Sequence, residues 1–507
     1  MSFFFTPSTE SYIGFVDTYF CELMEDHLEH YLKNTRVSKS AIQSRLIHPF
    51  TNLKYPSRSA FLLLRKYAND FFSSGAEPRF IALAGLRGVG KTTLMWHTAE
   101  YIYNNHQTNI FFFNVNILKS IGISLYQVLE EFQRQILKKR FVEATEPITL
   151  LFDEVHDDEN WANTLKILYE DARSAFILCT GSSALHLNQT VDLARRWRIE
   201  KIYPFKFNEF ISAKTHPEHK GKMIPPEKDL SKFLKEALFY AETANESFKK
   251  IQDLKTKVDN YFLKIESNSS YNLRELIQGF ISYQNIPSFL FYKDKYTITD
   301  SILDLLKRVI LEDIQKLKPS YIEHVKIERL LLRLAASDEL NTEKLSQILG
   351  LRQNEINDII KILADAEILN ILFPYGGIDA RVVKNKKAFF MSPSLRRALL
   401  STLFGKDLPE HYRGKLLEDI VVLYLRRILV EGILSFVSGE DQVNPDFVIE
   451  TRDTPILLEV GTKKSSSRQV TKSKIKCRYG ILVSEGISEP NLIENAIKLP
   501  LRWFLLL

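Results

Sequence analysis

Nine consecutive residues carry the clearest chemistry: Gly85, Leu86, Arg87, Gly88, Val89, Gly90, Lys91, Thr92 and Thr93. Glycines at both ends let backbone N–H groups wrap a chain of phosphates, and a following helix adds partial positive charge at its start. At that spacing Lys91 reaches the β and γ phosphates, and the Thr92 hydroxyl ligates Mg²⁺. The segment lies between an apolar run, Phe80 to Ala84, and a helix-forming stretch, Thr93 to Tyr103, as this chemistry requires. Downstream, ITLLFDEVH is a second apolar run, ending in Asp153 and Glu154. An apolar run ending in two acids is a weak signal alone, but beside the glycine-rich loop it assigns Asp153 to the Mg²⁺ shell and Glu154 to the attacking water. The chemistry implied is ATP binding and hydrolysis with ATP and Mg²⁺ as cofactors.

The next run, FILCTGSS, ends in Thr180 and Ser182. Small polar groups at the carboxyl end of such a strand lie where ligands bind in open α/β sheets. One of the two is expected to sense the γ-phosphate, and Ser182 takes that place in the catalytic set with Lys91 and Glu154. Arg195, Arg196 and Arg198 follow in LARRWRIEKIYPF. An arginine against the γ-phosphate, from the same chain or a neighbour, stabilises transition-state charge.

The elements that position these groups follow from periodicity. RFIALAG, NIFFFNV, ITLLFDE, AFILCTG and RIEKIYP are short apolar runs separated by helix-length segments, the pattern of buried parallel strands with helical crossovers. Residues 1–57 read as an N-terminal helical extension, and 58–320 as the P-loop core with a charged, lid-like helical hairpin inserted near 212–270. A compact unit at 321–405 and a final α/β unit at 406–507 complete the chain. The fold class expected is α/β: a P-loop NTPase parallel-sheet core with helical lid, a winged-helix domain and, on the resemblance given below, a C-terminal α/β nuclease-like domain. At 507 residues, several domains are expected. The three cysteines, Cys21, Cys179 and Cys477, are widely spaced and form neither a disulfide framework nor a zinc pair. With no basic-flanked apolar leader and no apolar stretch long enough for a membrane, a cytoplasmic protein without membrane contact is expected. A net charge of +6 permits nucleic-acid contact without demanding it.

In order, the P-loop, FDEVHDDENW with Trp161, the LCTGSS strand, Arg196 before FKFNEF, YQNIPSF around Pro287 and LEDI at 311–314 resemble prokaryotic AAA-type ATPases. That family joins a P-loop domain to a winged helix and a C-terminal nuclease-like domain. The resemblance implies that Arg196 is the arginine finger, although Arg195 stands where the family usually has glycine. A finger acting on a neighbour would imply a homo-oligomer.

The stretch from Glu328 to Gly377 reads as three helices followed by a hairpin, with Asn341 or Thr342 as a cap. Its second reading helix would present Arg352, Gln353, Asn354, Asn357 and Lys361, with Glu355 and Asp358 among them. That near balance of charge favours a packing module coupling nucleotide state to the last domain over base-specific reading. In the last domain, Glu418 on a helix, Asp446 in NPDFVIE and Glu459 in ILLEVG follow the order of the restriction-endonuclease-like fold. There, clustered carboxylates hold a second divalent metal that activates water against a phosphodiester. The expected lysine position is Gly461, so only Lys463, the first choice, or Lys464 reaches in from beyond. Arg468, Lys472, Lys474, Lys476 and Arg478 follow and offer a face for a nucleic-acid backbone. Three readings stay open for this domain: an active nuclease, a non-cleaving nucleic-acid binder, and a docking surface for a protein partner.

Overall fold

The computed structural model describes residues 26–49, 52–181, 195–215, 229–268, 272–314, 324–337, 339–405, 407–438 and 444–507. The chain groups into two compact units. One comprises residues 1–52, 57–85 and 91–202; the other comprises 53–56, 86–90 and 203–507.

The first unit is built on five parallel strands: β1 (Phe80–Ala84), β2 (Asn109–Asn114), β3 (Ile148–Asp153), β4 (Ala175–Thr180) and β5 (Arg198–Lys201). Their order across the sheet is β2-β3-β4-β1-β5. Every residue of β1, β3 and β4 is buried, as expected of strands covered by helices on both faces. β5 departs from the expectation of a buried strand: it sits at the sheet edge with Arg198 and Lys201 exposed. Its polar residues suit an edge, where one side of the ladder faces water. The strand order sets β4 between β1 and β3, so the carboxyl ends of all three lie side by side. The part of the N-terminal extension described here packs onto this sheet, with Leu32 in the core and Arg36 bridging to Phe111.

The second unit contains a nine-stranded mixed sheet, ordered β13-β14-β12-β11-β10-β9-β7-β8-β6. Its strands are β6 (Glu339–Leu340), β7 (Leu369–Pro374), β8 (Lys386–Phe390), β9 (Ile433–Phe436), β10 (Phe447–Glu450), β11 (Ile456–Gly461), β12 (Gly480–Ser484), β13 (Asn491–Ile493) and β14 (Ala496–Pro500). Three helices, His324–Ala336, Thr342–Leu349 and Gln353–Asp365, precede the β7–β8 hairpin. Asn341 caps the second through its side chain, and Gly350 ends it in the left-handed conformation. The hairpin does not end its own sheet. Phe373 and Pro374 of β7 pair in parallel with Ser435 and Phe436 of β9, so the sheet runs across the expected boundary at 405.

A buried ion pair reinforces that junction. Arg396, on the helix Pro393–Phe404, makes two contacts with Asp419, on the helix Glu410–Ile428, at 2.6 and 2.9 Å. Both side chains are fully buried. Asp419 also accepts from the Phe390 N–H, and Arg396 donates to the Leu334 and Ala335 carbonyls. Such a satisfied network tolerates burial that an unpaired charge would not.

The described part of the 212–270 insertion includes the helices Leu230–Phe239 and Ala244–Asn268. Its apolar faces share one core with the C-terminal strands. Arg478 accounts for part of the attachment. Its guanidinium donates to the Phe239, Ala241 and Thr454 carbonyls and to the Thr451 hydroxyl, so it is structural rather than phosphate-facing. The closing LRWFLLL begins with a short helix at Leu501–Phe504 and, apart from half-buried Arg502, is buried as expected. No helix among the described residues is long and apolar enough to cross a membrane.

Candidate functional site

The glycine-rich loop links β1 to the helix Lys91–His106. Gly85, Gly88 and Gly90 have φ of 152°, 80° and 87°, values an L side chain rarely adopts. The middle of the loop, Leu86–Gly90, groups with the second unit. There the Ser288 N–H donates to the Gly88 carbonyl at 3.0 Å, and a Cβ on residue 88 would collide with the Ser288 hydroxyl. Glycine at 88 therefore serves a close approach as well as a turn.

Lys91 is nearly buried, its ammonium donating to the Gly85 carbonyl at 3.0 Å. This tethers the lysine across the mouth of the loop, where the phosphates would lie. The Thr92 hydroxyl donates to the two oxygens of Asp153 at 3.0 and 3.2 Å. A hydroxyl from the first turn of the helix and a carboxylate from the end of β3 thus meet as a pair of hard oxygen donors. Mg²⁺ takes few protein oxygens and completes its shell with water and substrate phosphates, so these two fit it.

Thr180, at the end of β4, closes the other side of the acid pair. Its hydroxyl donates to Asp153 at 2.5 Å and accepts from the Glu154 N–H at 3.1 Å. Strand order explains the arrangement, because β4 is the strand between the loop and Asp153. Glu154 has φ of 56°, which turns its side chain away from the line of β3, and its carboxylate lies 3.5 Å from His156 Nδ1. A non-glycine residue held in the left-handed region often marks a site where position outweighs strain.

Ser182 lies outside the described residues. Thr180 therefore performs the contact with the acid pair that can be assigned. Arg196 precedes β5 at the end of the sheet remote from the loop. Its guanidinium pairs with Glu170 at 2.7 Å, and Arg198 two residues later pairs in register with Ile81 near the start of β1. The loop leaves β1 at the opposite end, a strand length of roughly 15 Å away.

In the C-terminal sheet, Asp446 and Glu459 come together. The Asp446 N–H donates to Glu459 Oε2 at 3.0 Å, and the Val460 N–H donates to Asp446 Oδ2 at 2.8 Å. The lysine between them is Lys464, correcting the choice of Lys463. Lys464 Nζ pairs with Glu459 and lies 3.8 Å from Asp446, whereas Lys463 is 81% exposed and pairs with Glu410 at 2.6 Å. Burial pushes the Asp446 carboxyl above its usual range, while Lys464, then Lys387 and Lys415, pull it back down. Glu418 faces Lys415 at 3.8 Å. Among the described residues no three His, Cys, Asp or Glu side chains gather into a metal cage, so Glu418 does not complete one with the other two acids. Both carboxylates face the Lys464 ammonium instead. Arg468, Lys472, Lys474 and Lys476 are exposed.

The loop, the acid pair and the strand order agree with a family match over residues 77–211 to an AAA domain. Those residues form an AAA-type P-loop domain. A second match, residues 288–404, is to a family described as a domain of unknown function, DUF8612. The uncharacterized protein MJ1637 of Methanocaldococcus jannaschii is 29% identical over 445 residues, covering 86% of this chain and 87% of that one. Among solved structures, the Walker-type ATPase PABY2304 of Pyrococcus abyssi is 12% identical, covering 66% of this chain and 95% of that one, with a TM-score of 0.38. The Aeropyrum pernix Orc1 protein, solved in complex with DNA, is 13% identical, covering 71% and 97%, with a TM-score of 0.30.

Proposed function

We propose that this chain is an ATP-hydrolysing regulatory enzyme whose nucleotide state governs the module from Tyr203 onward, and that this module acts on nucleic acid. The observation carrying the ATPase reading is Asp153 held between the Thr92 and Thr180 hydroxyls beside Lys91. In that arrangement the backbone of the loop and Lys91 bind the phosphates, and Thr92 and Asp153 hold Mg²⁺. Glu154 accepts a proton from the attacking water. Mg²⁺, when bound, would neutralise phosphate charge.

The three helices and the β7–β8 hairpin are read as a winged helix used for packing. Its wing is paired to β9, which leaves that strand edge unavailable to a DNA groove. The position of Arg196 favours a finger acting on a neighbouring copy, and hence a homo-oligomer. The exposed Arg468, Lys472, Lys474 and Lys476 offer a nucleic-acid backbone a cationic strip. Genome maintenance or anti-phage defence is the setting this combination suits.

A second reading concerns the last domain: a nuclease-like fold that hydrolyses phosphodiesters with a divalent metal, favoured by the meeting of Asp446, Glu459 and Lys464. Its alternative is a nucleotide-switched scaffold with a non-cleaving fold that docks a protein partner. The deciding experiment measures phosphate release with Mg²⁺ for wild type, Lys91→Ala and Glu154→Gln, with and without single- or double-stranded DNA and RNA. Hydrolysis lost in both variants and altered by nucleic acid supports the first proposal. Hydrolysis indifferent to every nucleic acid refutes its second half and favours the scaffold.

A further inference from the structure

We infer that the second unit carries a further ligand site, a crevice between helical segments that binds a nucleoside monophosphate. The crevice has a volume of about 750 Å³, within the range of small-molecule sites, and clefts between packed helices are a common place for them. Its walls come from the π-helical turn Phe280–Gln284 that continues the helix Leu273–Gly279, and from the helices Lys295–Arg308, Pro393–Phe404 and Glu410–Ile428. None of the residues lining it belongs to the glycine-rich loop or the acid pair, so it does not rest on the ATPase reading. A π turn adds a residue to the helical repeat and re-aims the side chains that follow, and such turns recur at functional sites. This one sets Ser282 and Tyr283 on the crevice wall.

Ser282 supplies the first sign of a ligand. It is 3% exposed, lines the crevice, and its hydroxyl has no hydrogen-bond partner among the described residues. A buried hydroxyl so placed takes its partner from what fills the cavity. Beside it two cations converge on one ring. Arg397 lies 4.7 Å and Lys295 5.6 Å from the centre of the Tyr283 ring, and Arg397 also donates to the Tyr283 hydroxyl at 2.6 Å. They come from different helices, so packing rather than local sequence brings them together. A guanidinium, an ammonium and a hydroxyl form a donor set for one phosphate group.

The rest of the lining sets the size and class of the ligand. A third cation, Arg413, is committed to Glu485 through two bonds at 2.8 and 2.5 Å, and Glu410 is paired with Lys463. One phosphate matches the two cations at Tyr283, whereas a di- or triphosphate would bring further negative charge against Asp300 and Asp407. Tyr296 and Asp300 stand one turn apart on the helix Lys295–Arg308 and share a face of it. Tyr296 is 48% exposed, so a base can reach its ring, and base–aromatic stacking tolerates any of the bases. Asp300 suits the ribose, whose hydroxyls donate to a carboxylate. Phosphate on Lys295, Arg397 and Ser282, ribose on Asp300 and base on Tyr296 together describe a nucleoside monophosphate. The same chemical unit ends a 5′-phosphorylated strand, so a free nucleotide and a strand end are its two sources.

The test titrates the full chain calorimetrically with AMP, GMP, CMP and UMP, in wild type and in Lys91→Ala, with inorganic phosphate and a 5′-phosphorylated tetranucleotide as further probes. Binding of the monophosphates is expected to survive Lys91→Ala. It is expected to weaken about tenfold or more in Lys295→Met and about threefold in Ser282→Ala, and about fivefold or more in Tyr296→Leu. Lys295 and Tyr296 are exposed, so their variants should keep the fold, and unchanged melting temperatures check this. In Lys91→Ala, ATP is expected to bind more weakly than AMP. A tetranucleotide that binds more tightly than AMP identifies the strand end as the source, and one that binds more weakly identifies the free nucleotide; either upholds the site. No binding of any monophosphate at millimolar concentration overturns the inference, as does binding lost in Lys91→Ala or indifferent to both Lys295→Met and Tyr296→Leu. Inorganic phosphate binding as tightly as AMP would also overturn it, since base and ribose would then contribute nothing.

Discussion

Replacing Thr180 with valine keeps its shape and removes a single hydroxyl, which makes it a direct test of the ATP site. That hydroxyl is fully buried and makes two bonds, donating to Asp153 and accepting from the Glu154 N–H. A bond to an ionised group contributes about 1.5–3 kcal/mol, and an amide left without an acceptor costs about 1–3 kcal/mol. Relaxation and water will recover part of this, so about 2 kcal/mol is expected to reach the transition state, or roughly 30-fold in kcat. Lys91 and the loop backbone are untouched, so ATP affinity should change by less than about threefold, or roughly 0.6 kcal/mol. The assay is steady-state phosphate release with Mg²⁺, alongside nucleotide binding measured with a fluorescent ATP analogue. Thr180→Ser retains the hydroxyl and should stay near wild type. Full turnover in Thr180→Val, together with its loss in Ser182→Ala, would refute the assignment of Thr180 to the acid pair.

Three other outcomes follow from the structure. Arg196→Ala should lower turnover without changing ATP affinity, and mixing it with Lys91→Ala should restore part of the activity. Absence of such complementation would argue against a finger supplied by a neighbouring copy. Asp419→Asn leaves the Arg396 charge buried without its partner and should cost about 3–5 kcal/mol in denaturant unfolding; a change below about 1 kcal/mol would show that the pair is dispensable. Lys206 is pushed down to about 7 by burial first and Arg427 second, with Glu209 opposing. Its folded value is thus below the unfolded one, so the unfolded chain holds the extra proton between pH 7 and the ordinary lysine range. Stability from this group should rise with pH across that window, and be absent below it. Unfolding midpoints from pH 7 to 9.5 for wild type and Lys206→Met check this, since the variant should lose the slope.

The ATP site was legible in the sequence because its parts are local. Gly85 to Thr93 needs only its own backbone to form the loop, and the apolar runs ending at Ala84, Asp153 and Thr180 announce buried parallel strands by composition alone. The contact of Thr180 with the acid pair was not legible: it depends on β4 lying between β1 and β3, and strand order is a non-local property. Arg196 shows the same limit. Its distance along the chain from the other site residues gave no sign that β5, running parallel to β1, would leave it at the end of the sheet remote from the loop.

The C-terminal half divides in the same way. Asp446 and Glu459 could be paired from their place on consecutive strands, since an antiparallel hairpin brings such residues together. Lys463 and Lys464 could not be told apart, because a turn after a strand has no fixed period; packing against Gly461 decided between them. The helical insertion had the charge pattern of a solvated lid, yet its apolar stripe is buried against strands more than two hundred residues away. Sequence determined which residues were able to do chemistry and which segments would be helix or strand, for these depend on side-chain type and on neighbours within a few turns. Tertiary structure decided which of them meet, because that depends on strand order, on the joining of the hairpin to the last sheet, and on the space a single glycine leaves open.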